Sequence, residues 1–180
     1  MSKWQKYKPQ PRDLWRSTDP DSIVPLVPFI RGMTYAEPCY GAGDLEERLE
    51  GVSICKWRSD IEPQVSHVPK MDALNLKKEH LHDCALIITN PPYDFKMLQP
   101  LLDHLPTLKP TWLLLPADSC YNKRMAPYMR RATDIVSVRR LYFHTVGEDE
   151  TQVKHAKQTS NYAWILFTNQ NQFTRFHGRT

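Results

Sequence analysis

Asn90-Pro91-Pro92-Tyr93 follows directly on the apolar run Asp83-Cys84-Ala85-Leu86-Ile87-Ile88-Thr89. Two successive prolines preset φ and push the residue before them to extended backbone. A strand entering this segment must therefore stop, with its last carbonyls facing outward rather than pairing in a ladder. Asn90 adds a side-chain amide oxygen and Tyr93 a flat ring. This set suits alkylation of an amine whose lone pair is delocalised into an aromatic ring or a carbonyl, and adenine N6 is such an amine. The Asn90 side-chain oxygen and the Pro91 carbonyl would hold both amine hydrogens, favour the pyramidal nitrogen and stabilise the positive charge that develops on attack. Tyr93 would stack on the base, worth about 1–3 kcal/mol. No strong general base is required, because a proton can leave after transfer. Asn90, Pro91, Pro92 and Tyr93 are the predicted catalytic set.

The second feature is Tyr35-Ala36-Glu37-Pro38-Cys39-Tyr40-Gly41-Ala42-Gly43-Asp44-Leu45. A strand running into a glycine turn and then a helix brings a ligand close to backbone at a sheet's carboxyl edge. The dinucleotide fingerprint would need a third glycine where Glu46 stands, and the phosphate-loop Gly-Lys-Ser/Thr is absent. Glu37 and Asp44 flank the turn and would repel a pyrophosphate. They suit a ligand carrying an ammonium and a sulfonium, which describes S-adenosylmethionine. Glu37, Pro38, Cys39, Gly41 and Gly43 are thus candidate cofactor residues. Asp60, seventeen residues beyond Gly43, has the position of a ribose-diol acceptor, with Glu62 as its competitor. Ile61 would lie against the adenine face, Asp72 with Ala73 would receive the adenine amine, and Asn90 would touch the cofactor as well.

Elements that position these residues can be read from the pattern. Thr34–Glu37 is a candidate strand, Asp44–Leu49 a helix and residues 52–57 a second strand. The run 83–89 suits a central parallel strand covered on both faces. Residues 95–105 have helical spacing, 111–115 read as another buried strand, and 123–131 as a helix. Pro25 and Pro28 shorten or kink a helix that begins after the cap-and-proline sequence Ser17-Thr18-Asp19-Pro20. The segments 135–143 and 162–168 read as two strands that pair antiparallel at a sheet edge. The expectation is a three-layer α/β sandwich with a mixed sheet, in one domain over 15–180, behind a loose polar arm at 1–14.

Composition narrows the class. Among 180 residues, 41% are hydrophobic and 24% charged, which excludes a disordered tail or a coiled-coil rod. No apolar run approaches the roughly 18 residues of a membrane span, and no signal peptide is readable, so a cytoplasmic location with no membrane partner is expected. The net charge of +4 is compatible with a polyanionic partner without requiring one. Four cysteines without a Cys-x-x-Cys pair indicate neither a disulfide framework nor a zinc ribbon. His80-x-His82-x-Cys84 would put three ligands on one strand face, but with no fourth ligand nearby no metal site is assigned.

The glycine turn and Asn90–Tyr93 together resemble the S-adenosylmethionine-dependent N6-adenine methyltransferases, in their DNA-modifying, small phage-type branch. The likeness runs from about Trp15 to Phe167. It implies a Rossmann-like, seven-stranded mixed sheet with an antiparallel last strand, and a target base flipped into the pocket. Residues 15–20 resemble the family's N-terminal cofactor-contact motif, which adds Trp15 and Thr18 to the cofactor set. Arg140–Phe143 and Asn161–Trp164 resemble the last two strands of the small phage-type members. The family's separate target-recognition domain finds no counterpart among the motifs, so the expectation is either relaxed sequence specificity or recognition supplied by a partner. Lys123, Arg124, Arg140, Lys154 and Lys157 are candidate phosphate contacts, although each taken singly also fits a solvated face. RNA adenine is the alternative substrate, followed by a protein glutamine amide. A non-catalytic binding subunit with the same fold is the alternative of another class.

Overall fold

The computed structural model describes residues 15–16, 19–145, 154–157 and 160–178. Ten strands form two sheets. In chain order they are β1 (Trp15–Arg16), β2 (Thr34–Glu37), β3 (Ile54–Arg58), β4 (Leu86–Thr89), β5 (Thr111–Pro116), β6 (Ala132–Ser137), β7 (Tyr142–Thr145), β8 (Lys154–Lys157), β9 (Tyr162–Phe167) and β10 (Arg175–His177). The helices are α1 (Val27–Ile30), α2 (Asp44–Leu49), α3 (Phe95–Leu108) and α4 (Ala126–Met129).

The main sheet has seven strands in the order β10-β6-β9-β5-β4-β2-β3. All neighbours are parallel except β9, which runs antiparallel between β5 and β6. The expected seven-stranded mixed α/β sheet is therefore present. Its antiparallel member is the strand at 162–167, and one further strand, β10, follows it at the edge.

Alternation along the strands assigns the layers. Leu86 and Ile88, Trp112 and Leu114, and Tyr162 and Trp164 pack on one face against Leu26, Ile30, Leu45 and Leu49. Leu113, Leu115, Ile165 and Phe167 face the other way, onto Leu98, Leu102, Met125 and Tyr128. Ile87 joins that second face beside Leu101 and Leu105. A strand buried on both faces reads as a continuous apolar run, which is why β4 and β5 were legible. Trp112, Trp164 and Phe167 are core residues, as expected; the side chain of Tyr142 lies outside the described set.

Several boundaries differ from expectation. α3 continues through Pro106 instead of ending near residue 105, since Leu105 and Pro106 are both buried and packing outweighs the lost N–H. The helix expected over 123–131 is a 3-10 turn, Lys123–Met125, followed by the single-turn α4. The strand expected over 135–143 is two strands. β6 stays in the main sheet, while β7 joins β1 and β8 in a separate antiparallel three-stranded sheet. The segment after Pro20 forms two 3-10 turns and α1, in keeping with its prolines. Arg139 ties it down, its guanidinium contacting Asp19 Oδ1 at 3.1 Å and Asp21 Oδ2 at 2.8 Å.

β10 is held by an ion cluster that no pattern in the sequence discloses. Arg175 donates to both oxygens of Asp134 at 2.9 and 3.0 Å, and His177 Nε2 lies 2.8 Å from Asp134 Oδ1. Burial alone would raise the Asp134 pKa, but the hydrogen bonds from Arg175, His177 and Thr133 outweigh it and the net shift is downward. Among the described residues no helix is long and apolar enough to cross a membrane.

Candidate functional site

β2 and β4 are adjacent and parallel, with Ala36 opposite Ile87. Glu37 at the end of β2 and Asn90 just past β4 therefore leave the sheet at the same carboxyl edge. The Cys39 thiol lies beside Thr89, and burial, the larger influence, pushes its pKa up to about 12.

The glycine turn is built tightly. Gly41 and Gly43 have φ of 57° and 93°, and Gly43 caps α2. A Cβ at Gly43 would sit 2.7 Å from the Tyr40 hydroxyl oxygen and 2.9 Å from Cζ. Tyr40 itself is buried, lies beneath the Arg58 guanidinium at 5.9 Å and meets His67 edge-on. Its hydroxyl faces Glu46, whose Oε1 accepts from Arg58 Nη2 at 2.6 Å. Burial first, then Glu46, raises the Tyr40 pKa. Tyr40, Glu46 and Arg58 thus clamp the turn from beneath. None of the three figured among the sequence-predicted residues; an aromatic inside a glycine turn was the one signal available.

Glu37 is 1% exposed, and its Oε2 has no hydrogen-bond partner among the described residues. Its pKa is raised well above the usual carboxylate value, by burial first and then by the Glu46, Asp44 and Asp60 carboxylates, with Arg58 opposing. An orphaned buried carboxylate oxygen amid further acids is costly unless a cation or donor meets it. This is the strongest electrostatic feature of the edge.

Asp60 takes the expected place beyond β3 and reaches back to the turn. Its Oδ2 accepts from the Gly41 N–H at 2.8 Å and its Oδ1 from the Glu62 N–H at 2.7 Å. An ionised carboxylate has about four acceptor positions, so capacity remains for a diol. Glu62 contributes its backbone there and has an exposed side chain. Ile61 is 56% exposed, an apolar side chain left open next to Asp60. Asp72 caps the 3-10 turn Ala73–Asn75 by accepting from the Leu74 N–H at 2.9 Å, and Ala73 is buried. Pro38 is buried in the sheet edge.

At the diproline corner, Pro91 is buried while Asn90, Pro92 and Tyr93 are half-buried. Among the described residues no backbone hydrogen bond ends on the Pro91 carbonyl. The Tyr93 hydroxyl donates to Asn90 Oδ1 at 2.6 Å. Its ring rests on Tyr162, with centroids 5.8 Å apart and planes tilted by 42°. The hydroxyl holds the Asn90 amide with its oxygen toward Tyr93, a constraint the sequence reading did not anticipate.

The remaining predicted residues lie elsewhere in the chain. Lys123, Arg124 and Arg140 are exposed. Lys154 and Lys157 lie on β8 and Trp15 on β1, with side chains outside the described set, and Thr18 is outside it altogether. His80, His82 and Cys84 do not converge. His80 accepts from the Lys77 N–H and stacks on Trp57, His82 pairs with Asp83, and Cys84 is buried. The two-residue strand spacing fails because Lys78–Leu81 is a 3-10 turn.

No protein-family model and no curated protein matches the sequence. Solved structures do match. A Pyrococcus horikoshii protein described as a candidate RNA methyltransferase superposes with a TM-score of 0.56 at 10% identity, covering 81% of this chain and 79% of that one. An Agrobacterium tumefaciens protein described as a predicted O-methyltransferase gives 0.54 at 13% identity, covering 89% and 85%. The Mtq2–Trm112 complex of E. cuniculi, responsible for methylating the termination factor eRF1, gives 0.52 at 12% identity, covering 91% of this chain and 98% of the matched one. At these identities the likeness is one of fold: the chain has the Rossmann-like fold shared by these methyltransferases.

Proposed function

We propose that this protein transfers a methyl group from S-adenosylmethionine to the exocyclic N6 of adenine in DNA, with little sequence specificity. The observation that carries the reading is the pairing, at one sheet edge, of an orphaned buried carboxylate with an acceptor-bearing diproline corner. The donor set fits the cofactor. Glu37 Oε2 would receive the ammonium, the spare capacity of Asp60 the ribose diol, and Ile61 the adenine face. Asp72 has an oxygen left after capping its turn, for the adenine amine. When bound, the cofactor supplies a methyl group made electrophilic by its sulfonium.

The chain's own residues do the rest. Asn90 Oδ1 has two lone pairs, and the Tyr93 hydroxyl occupies one, leaving the other for an N6 hydrogen. The Pro91 carbonyl takes the second hydrogen. Both oxygens interact more strongly with the developing ammonium than with the neutral amine, so they lower the barrier rather than tighten the ground state. Tyr93, braced by Tyr162, stacks against the base. Lys123, Arg124, Arg140, Lys154 and Lys157 are proposed to meet the phosphates, and Trp15 and Thr18 to close over the methionine end.

A protein amide is the second reading. The eRF1-methylating complex contains a chain matched over 98% of its length, so the fold at this size is compatible with a protein substrate. Incubation with methyl-labelled cofactor and, side by side, duplex DNA, single-stranded RNA and a glutamine-bearing release factor separates these readings. Label on DNA adenine supports the first; label on the release factor alone replaces it.

A further inference from the structure

The carboxyl edge of the sheet carries a second surface beside the corner. β5 ends in the 3-10 turn Ala117–Tyr121, whose last residue is a tyrosine 89% exposed. A ring left in water forgoes burial worth about 1.5–3 kcal/mol. The turn is firmly held, with the Ala117 N–H donating to the Asn161 carbonyl at 2.8 Å. The next residue, Asn122, donates its N–H to the Ser119 carbonyl and caps the following turn by accepting from the Arg124 N–H at 3.0 Å. Tyr121 is therefore displayed from a rigid support. Arg124 lies over the ring of Phe95 at 5.7 Å, and Phe95 is two residues past Tyr93. Tyr93, Phe95, Ala117 and Cys120 all pack on one apolar cluster, which sets the turn next to the diproline corner.

Lys96 and Lys123 are exposed alongside. Two carboxylates share the neighbourhood: Asp118 is exposed, and Asp94 caps α3 by accepting from the Lys96 N–H at 2.8 Å. The balance of the surface is modestly basic.

Resting on the adenine-methylation reading, we infer that this surface binds a single-stranded polynucleotide, with Tyr121 stacking an unpaired base beside the target and Arg124, on its Phe95 shelf, holding a phosphate. An exposed ring can stack only on a base that is itself unstacked, which a duplex does not offer without flipping. A guanidinium held over an aromatic ring, here 5.7 Å from its centroid, has a fork of N–H groups that matches phosphate oxygens. No partner protein need carry the strand to the corner on this account.

The test is anisotropy of a fluorescein-labelled, adenine-containing single-stranded oligonucleotide and of its duplex, titrated with the full chain over a range of salt concentrations. Cofactor binding is measured separately by calorimetry. The single strand binds more tightly than the duplex. Tyr121→Ala weakens single-strand binding roughly 5- to 150-fold without changing its salt slope. Arg124→Ala lowers that slope by about 0.7, the share of one phosphate contact on a single strand. Phe173→Ala removes an aromatic that is 99% exposed elsewhere and leaves binding unchanged. Tighter duplex binding, no oligonucleotide binding, or Tyr121 and Arg124 variants that behave like Phe173→Ala would overturn the inference. If the oligonucleotide results hold while the cofactor fails to bind, the surface stands and the methyl-transfer reading falls.

Discussion

Gly43→Ala tests the architecture of the glycine turn quantitatively. At φ 93° an L-residue carries a backbone penalty of about 1–2 kcal/mol. The added Cβ would also stand 2.7 Å from the Tyr40 hydroxyl and 2.9 Å from Cζ. That ring cannot yield cheaply, since it is buried between Arg58 and His67 and faces Glu46. Forced overpacking of this kind costs about 1–3 kcal/mol. The sum is about 2–5 kcal/mol. Gly41→Ala is the internal control: its φ is 57°, but the nearest atom to its Cβ would be Gln64 Nε2 at 3.9 Å, so only the backbone component applies. Urea denaturation of both variants should show Gly43→Ala to be the more damaging by about 1–3 kcal/mol. In a Tyr40→Ala background that excess should vanish, giving a coupling energy of similar size. Equal losses at the two glycines, or no coupling to Tyr40, would refute the clamp.

Further outcomes are expected. Because the folded-state pKa of Glu37 is raised, its contribution to stability is fully present below about pH 4.5 and is lost as pH rises through the folded value; Glu37→Gln flattens this slope in pH-dependent melting. Cofactor binding in that window should release a proton, seen in calorimetry as a dependence on buffer ionisation enthalpy that Glu37→Gln abolishes. Asp134→Asn should cost about 1–3 kcal/mol, the charged hydrogen bonds being discounted for the exposure of Arg175. The lowered Asp134 pKa means this stabilisation is present above about pH 3.8 and disappears as pH falls through the folded value, so the variant and wild type should converge in acid. Asn90→Ala should reduce methyl transfer about 10²–10³-fold with cofactor affinity largely kept, while Tyr93→Phe, which keeps the ring but frees the amide, should lower kcat more than it raises KM.

What could be read in advance follows from the range of the forces involved. β4 and β5 were legible because strands buried on both faces must be apolar throughout, and the corner after β4 because two prolines dictate backbone locally. The placement of Glu37 and Asp60 at the carboxyl edge was legible because one ends a strand and the other lies just beyond one. The split of residues 135–143 was not legible. Ile135–Phe143 has strand composition throughout, and the break arises where Arg139 turns to Asp19 and Asp21, more than a hundred residues away. β10 was hidden for the same reason: three residues carry no periodicity, and their partner Asp134 looks like a surface acid until Arg175 and His177 reach it. Tyr40, Glu46 and Arg58 are unremarkable singly; only their convergence beneath Gly43 gives them a role. The hydroxyl of Tyr93 on Asn90 is a rotamer choice, which spacing does not encode.

A crystal structure with S-adenosylhomocysteine tests the central claim most directly. The account predicts its ammonium on Glu37, its ribose at Asp60 and its sulfur turned toward the Asn90–Tyr93 corner. A ligand seated elsewhere, or one whose sulfur faces away from that corner, would contradict it.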